Sequence, residues 1–247
     1  MRLFIVFIFL PLISFAQLNA VDKSGKKQGL WKKMYSNGES ILYEGQFKDD
    51  KPYGKFTYYT KEGKVNATII HLSQEKSRAI FYHDNGEIMS EGIFMDKLKD
   101  SLWYSYTKAG ELSSIEAYVK NKLNGVKLLF YLEGQENDKP KILRKEAYQD
   151  SLLHGACESF YSNGKIKQKG AYQLGIPTGT WEDFSLSGRI IKRYTYKNGM
   201  LHGWVYQYNE SGNETNKRFF NKGSLLKDKD LEAYLRQCVE KGIDPEN

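Results

Sequence analysis

The chain has 247 residues, 14% of them aromatic, and its 37 Lys and Arg against 30 Asp and Glu give a net charge of +7. The charges are spread along the chain with no basic block and no nucleic-acid-binding motif, which argues against a nucleic-acid partner. Past the first sixteen residues no stretch is apolar enough to span a bilayer.

The N-terminus reads as an address. Arg2 precedes an apolar run from Leu3 to Phe15, and Ser14-Phe15-Ala16 offers small residues at −3 and −1. That is a secretory signal peptide over 1–16, cleaved before Gln17. Thirteen apolar residues fall short of the ~20 a membrane span needs. No cysteine follows the cleavage site, so a lipoprotein anchor is not indicated. The mature chain keeps 36 basic residues against 30 acidic ones, 36 − 30 = +6. It is expected to be exported, in the periplasm or secreted.

After a lead-in over 17–26 comes a repeat. A turn glycine recurs at Gly38, Gly63, Gly86, Gly110, Gly134, Gly164, Gly188 and Gly212, in steps of 25, 23, 24, 24, 30, 24 and 24 residues. A period in this range marks a repeat architecture. Nine residues earlier stands a second glycine in most copies: Gly29, Gly54, Gly125, Gly155, Gly179 and Gly203, with Ser101 once. Two residues after it lies a bulky column (the tryptophan column): Trp31, Phe56, Trp103, Trp181 and Val205, broken by Lys127, Cys157 and Ala79. Five residues after it lies a stricter one (the tyrosine column): Met34, Tyr59, Tyr82, Tyr106, Phe130, Phe160, Phe184 and Tyr208. Two residues past the turn glycine come Val65, Ile88, Leu112, Ile166 and Ile190. Eight past it come Phe94, Tyr118, Tyr172, Tyr196 and Phe220, with Phe47 shifted by one.

Aromatic and β-branched residues between glycines predict strands. Each copy therefore reads strand, turn, strand, turn. Asn37-Gly38, Asn85-Gly86, Asn163-Gly164 and Asn198-Gly199 predict type I′ hairpin turns, with positive φ at both residues. Even spacing in the second strand predicts that its two columns face one way. In the first strand the two bulky columns are three apart, on opposite faces unless a bulge intervenes. The 30-residue step is a six-residue insert, Gln135 to Pro140, which returns Ile142 and Tyr148 to their columns as a lengthened hairpin tip.

The strings Gly29-Leu30-Trp31…Asn37-Gly38 and Tyr196-Lys197-Asn198-Gly199-Met200-Leu201-His202-Gly203 resemble the variant MORN repeat, the YwqK-type antitoxin-like repeat family. The resemblance covers roughly 27 to 223. It implies antiparallel hairpins laid side by side and roles in protein or lipid association. The antitoxin label implies a cytosolic toxin as partner.

The period stops near Gly223. Leu231, Tyr234, Leu235, Cys238 and Val239 then form one apolar stripe at helical spacing. A short helix within 224–247 is expected to cap the array, with Asp230 as N-cap and Gly242 as its stop. An oxidising compartment would permit Cys157 and Cys238 to pair; the sequence leaves that open. The expected fold is all-β: eight tandem antiparallel β-hairpin repeats over 27–223 in an elongated meander sheet, closed by a short C-terminal α-helix.

No constellation of nucleophile, base or metal ligands stands out, so no enzyme and no cofactor or metal is expected. His154 and His202 share a repeat position but lie two repeats apart, ~19 Å at ~4.8 Å per strand, too far to share a zinc. The expected role is a scaffold binding another envelope or secreted protein. The alternative is a glycan, cell-wall or lipid-headgroup binder. Its candidate contact row is the tyrosine column, Tyr59, Tyr82, Tyr106, Phe130, Phe160, Phe184 and Tyr208, whose rings recur every ~9.6 Å, two strand spacings.

Overall fold

The structure is a computed structural model that describes residues 17–36, 38–132 and 139–246. The predicted leader (1–16), Asn37, Gly134 and residues 135–138 of the predicted insert lie outside the described residues. The chain divides into two compact units, one running to Gln74 and one from Glu75.

In the first unit the short strand Ala20–Val21 pairs with Lys27–Met34. Hairpin Lys27–Met34/Ile41–Lys48 then pairs with hairpin Lys51–Tyr59/Val65–His71, antiparallel throughout. The second unit holds repeats three to eight. Their hairpins are Lys76–Tyr82/Ile88–Met95, Leu98–Tyr106/Leu112–Val119, Gly125–Phe130/Ile142–Gln149, Leu152–Phe160/Ile166–Gln173, Ile176–Phe184/Ile190–Lys197 and Gly203–Tyr208/Glu214–Asn221. Each pairs antiparallel with the next. The fold is an all-β hairpin meander with one C-terminal helix among the described residues. In repeat five, Ile142 sits opposite Phe130 and Tyr148 opposite Gly125, the register that Ile166 and Tyr172 hold in repeat six.

Two kinds of turn alternate. Between repeats, two-residue turns have both φ angles positive: Asp49-Asp50, Asp96-Lys97, Lys120-Asn121, Asp150-Ser151, Leu174-Gly175, Asn198-Gly199 and Lys222-Gly223. These are the type I′ connections that match strand twist. Inside the hairpins the loop is a residue longer. At Asn85-Gly86 and Asn163-Gly164 only the glycine is left-handed, so the type I′ expectation holds at Asn198-Gly199 and not there. His83 N–H bonds to Glu87 O and Gly86 N–H to His83 O, while Asn85 Oδ1 accepts the Glu87 amide at 3.2 Å. The asparagine serves as an Asx acceptor, and the glycine alone takes the left-handed position.

The column nine residues ahead of the turn glycine (the first-glycine column, since it comes first in each repeat) marks a second irregularity. Glu44 pairs with Thr57 and Gln46 with Tyr53, so Gly45 alone faces Gly54, Lys55 and Phe56. The same two-residue excess recurs opposite Gly92, Ala147 and Gly170. Its first member is left-handed opposite Gly45 (Gly54, φ +66), Gly170 (Gly179, +64) and Gly92 (Ser101, +61, without a glycine); opposite Ala147 the left-handed residue is the second, Gly155 at +99. A further one-residue bulge closes each hairpin, for example where Asp183 pairs with Lys192 but Phe184 with Ile190. It turns Ile190 to the face of Phe184 while Tyr196, opposite Gly179, stays with Trp181. The second strand's two columns therefore part onto opposite faces, against the even-spacing expectation, because a bulge resets the alternation.

The helix spans Asp228–Glu240. Its N-cap is Lys227, extended at φ −136 and ψ 156, with no side-chain cap bond. Asp230, expected as the cap, lies inside the first turn. The strand Ser224–Leu226 ends one residue before Lys227, and the helix starts at once. Gly242 follows at φ +61, and Ile243 N–H bonds to Cys238 O. Tyr234 packs on Phe219 with ring centroids 5.5 Å apart. Cys157 and Cys238 are buried free thiols.

Candidate interaction faces

Within each unit the tryptophan column lines one face of the hairpins. Phe56, Trp103 and Trp181 are buried. Each is seated on a residue eleven positions earlier: Gly45, Gly92 and Gly170. A Cβ on any of the three would come closer than 3.0 Å to the ring, so only glycine fits. Aromatic neighbours stand edge-on to Phe56 and Trp181 in two places each, and Phe94 to Trp103, which Phe81 also stacks on. Phe56 lies between Phe47 and His71, at 5.2 and 5.1 Å. Trp181 lies between Tyr172 and Tyr196, at 5.3 and 5.9 Å with interplanar angles of 89° and 81°.

Where the column lacks a ring, its seat changes with it. Lys127 meets Glu116 at 2.8 Å, and Tyr118 Oη donates to Glu116 at 3.0 Å. Cys157 meets Glu146, which Arg144 Nε pairs at 2.8 Å and Tyr148 Oη bonds at 2.9 Å. Burial pushes Tyr118 and Tyr148 up to about 12, and the acceptor carboxylates add to it. Burial raises Glu116, but the bonds from Lys127 and Tyr118 outweigh it, and its pKa falls below the ordinary value. Burial likewise pushes the Cys157 thiol up against the opposing pull of Arg144. A protonated thiol is a poor nucleophile. Val205, the last member of the column, meets Tyr194. There a cavity of about 170 Å³ remains, with Tyr196, Phe220, Lys192 and Arg218 in its wall.

The tyrosine column lies on the other face, so the two columns three apart do oppose each other. Lys169 Nζ sits 5.3 Å from the Phe184 ring centroid and 2.9 Å from Glu182. Phe130 is buried; Tyr59, Tyr82, Tyr106, Phe160, Phe184 and Tyr208 are half-buried. Tyr59 Oη donates to Glu44 at 2.6 Å, and Tyr106 Oη to Glu91 at 3.3 Å. In repeats one, three, five and six the residue after the column member reaches the next repeat. Tyr35, Tyr131 and Tyr161 donate their hydroxyls to the carbonyls of Tyr59, Phe160 and Phe184, each at 2.7 Å. His83 Nε2 lies 3.0 Å from Tyr106 O.

Across the middle of this face, directly paired residues form a row: Tyr104, Ile115, Leu128, Lys145, Glu158, Lys169, Glu182, Arg193. The charged half is a ladder of alternating sign, with Lys145–Glu158 at 3.9 Å and Arg193–Glu182 at 2.8 Å. The other half is apolar. Leu102 and Val126, one step along the same strands, are 46% and 41% exposed.

The seats under the rings and the hydroxyl ladder are absent from the sequence-based candidates. The seats had a readable signal, glycine eleven residues ahead of a ring at Gly45/Phe56, Gly92/Trp103 and Gly170/Trp181.

The MORN repeat variant family model matches residues 153–173, which is repeat six. The other hairpins carry the same tyrosine column and the same one-residue bulge at the hairpin end. Repeat six thus resembles the variant MORN repeat, and the described residues form an array of such hairpins. No curated protein matches it significantly. Among solved structures, a point mutant of S. aureus TarM in complex with fondaparinux, alpha-GlcNAc-glycerol and UDP is 16% identical with a TM-score of 0.26, over 56% of this chain and 21% of that one. A second TarM structure is 17% identical with a TM-score of 0.23, over 54% and 21%. This chain thus matches about a fifth of TarM's length, and likeness this slight carries no argument. No helix among the described residues is long and apolar enough to cross a membrane.

Proposed function

We propose that this chain is an exported, non-enzymatic scaffold that holds another envelope or secreted protein against the face of the tyrosine column. The observation that carries the reading is the break in the central row. Its charged half is satisfied by its own cross-strand pairs, whereas Tyr104, Ile115 and Leu128 with exposed Leu102 and Val126 present apolar surface on a sheet face. Interfaces are built on such an apolar centre with a polar rim. The leader-like residues 1–16 support export.

The test is crosslinking of the mature chain, residues 17–247, in its native envelope, followed by mass spectrometry. A Leu102→Lys/Val126→Lys variant should fold as the parent does, because both side chains are exposed, and should lose the crosslinked protein. Retention of that protein at the parent's yield sinks the proposed surface. If no protein is recovered and the chain stays on insoluble envelope until glycans are digested, the scaffold reading fails and the tyrosine column becomes the site.

A further inference from the structure

The cavity beside Val205 is placed where the fold elsewhere seats a ring. In repeats two and seven the tryptophan-column ring stands between two aromatic or imidazole neighbours, all edge-on: Phe47 and His71 around Phe56, Tyr172 and Tyr196 around Trp181. In repeat eight the equivalent neighbours, Tyr196 and Phe220, are both present and packed against the same cluster. The residue between them is Val205, far smaller than an indole. Tyr194 occupies the seat but turns its hydroxyl away, toward Gln168 at 3.2 Å and Asp183 at 3.4 Å. About 170 Å³ of cavity is left, room for one substituted ring.

The charged groups there have one sign. Lys192 Nζ lies over the Tyr194 ring at 4.7 Å, and Arg218 is exposed with no ion-pair partner among the described residues. No acidic residue is in the wall. The repeats with paired charges in the same columns neutralise each cation, as Glu116 does Lys127. Here Lys192 and Arg218 make no ion pair among the described residues, and the carboxylate of Asp183, across the strands from Lys192, lies outside the wall and accepts the Tyr194 hydroxyl.

We infer that this cavity binds a planar aromatic ring carrying an anionic group. The ring takes edge-to-face contacts from Tyr196 and Phe220, and the anion is held by Arg218 with Lys192 beside it. The site lies on the opposite face from the Leu102–Val126 patch, so either can fail without the other. The ring can belong to a free aromatic acid or to an aromatic side chain next to an acidic residue of a polypeptide.

Calorimetry on the mature chain with indole-3-acetate tests the inference, with neutral indole-3-acetamide as control. Indole-3-acetate should bind saturably, and the amide about tenfold or more weaker, as loss of a charge-assisted bond requires. Arg218→Ala should weaken the acid to the level of the amide and leave the amide unchanged. Tyr194→Gly/Val205→Trp restores the glycine seat and ring of repeat seven; it should keep the circular dichroism of the parent and lose both ligands. A capped Glu-Trp dipeptide that displaces indole-3-acetate and binds more tightly than it assigns the ring to a polypeptide; weaker binding assigns it to a free acid. No saturable binding of acid or dipeptide, equal binding of acid and amide, or acid binding that survives in the folded double variant overturns the inference.

Discussion

Gly170 and Trp181 show how one side chain dictates another eleven residues away. A methyl at Gly170 would intrude on a ring that is itself 4% exposed. Gly170→Ala should cost about 1–3 kcal/mol, the range for overpacking a close-fitted core. In a double-mutant cycle with Trp181→Val the two losses should couple strongly in chemical denaturation; additive losses would show that the pair is not in contact. Ser101 is the reverse case. It holds φ +61 where the other repeats use glycine. An L-residue in this region costs about 1–2 kcal/mol, part of which glycine returns as chain entropy, so Ser101→Gly should raise stability by roughly 0.5–1 kcal/mol. The turn and first glycines were legible because each answers a local demand of the backbone. The seats were not, because a glycine within a strand gives no local signal and its reason lies on the next strand.

At the level of strands and helix, the polar substitutions in repeats four to six should set part of the response to acid. Glu116 has a folded pKa below its ordinary value of 4.5. Its contribution to stability is therefore complete above pH 4.5 and is lost as pH falls through the lowered value. Glu116→Gln should flatten the fall in melting temperature below pH 4.5 relative to the parent; an unchanged acid profile would assign that fall to other carboxylates. Tyr234 packs the helix on Phe219. Tyr234→Ala should speed amide exchange across Leu231–Glu240 while exchange in Ile166–Lys197 stays as it was. The helix was legible from its apolar stripe, but its start was not. Asp230 has a cap's chemistry, whereas the boundary is fixed by where the strand Ser224–Leu226 ends. The two-against-one bulges were equally hidden, since residues on both strands must be known before a ladder can be seen to skip.

For the whole molecule, the period was legible because every repeat must solve the same problem of burying a face against its neighbour. The division at Gln74 and Glu75 was not, because no change of composition marks it. A two-hairpin unit has fewer neighbouring interfaces to add than one of six hairpins and a helix. Amides of Lys27–His71 are accordingly expected to exchange faster than those of Ile166–Lys197 in native-state hydrogen exchange; equal protection would mean that the chain opens as one body.

The matched seats and rings also bear on how such an array can change its length. Each pair joins the second strand of one hairpin to the first strand of the next, so a hairpin taken alone carries half of two different pairs. Copying or deleting a hairpin whole would bring together mismatched halves, such as Glu146 beneath Trp181 after loss of repeat six. The segment that can be gained or lost without mismatch is offset by half a period, running from one hairpin tip to the next. An ancestor that grew by duplication would leave its joins at the tips, where the six extra residues of repeat five stand.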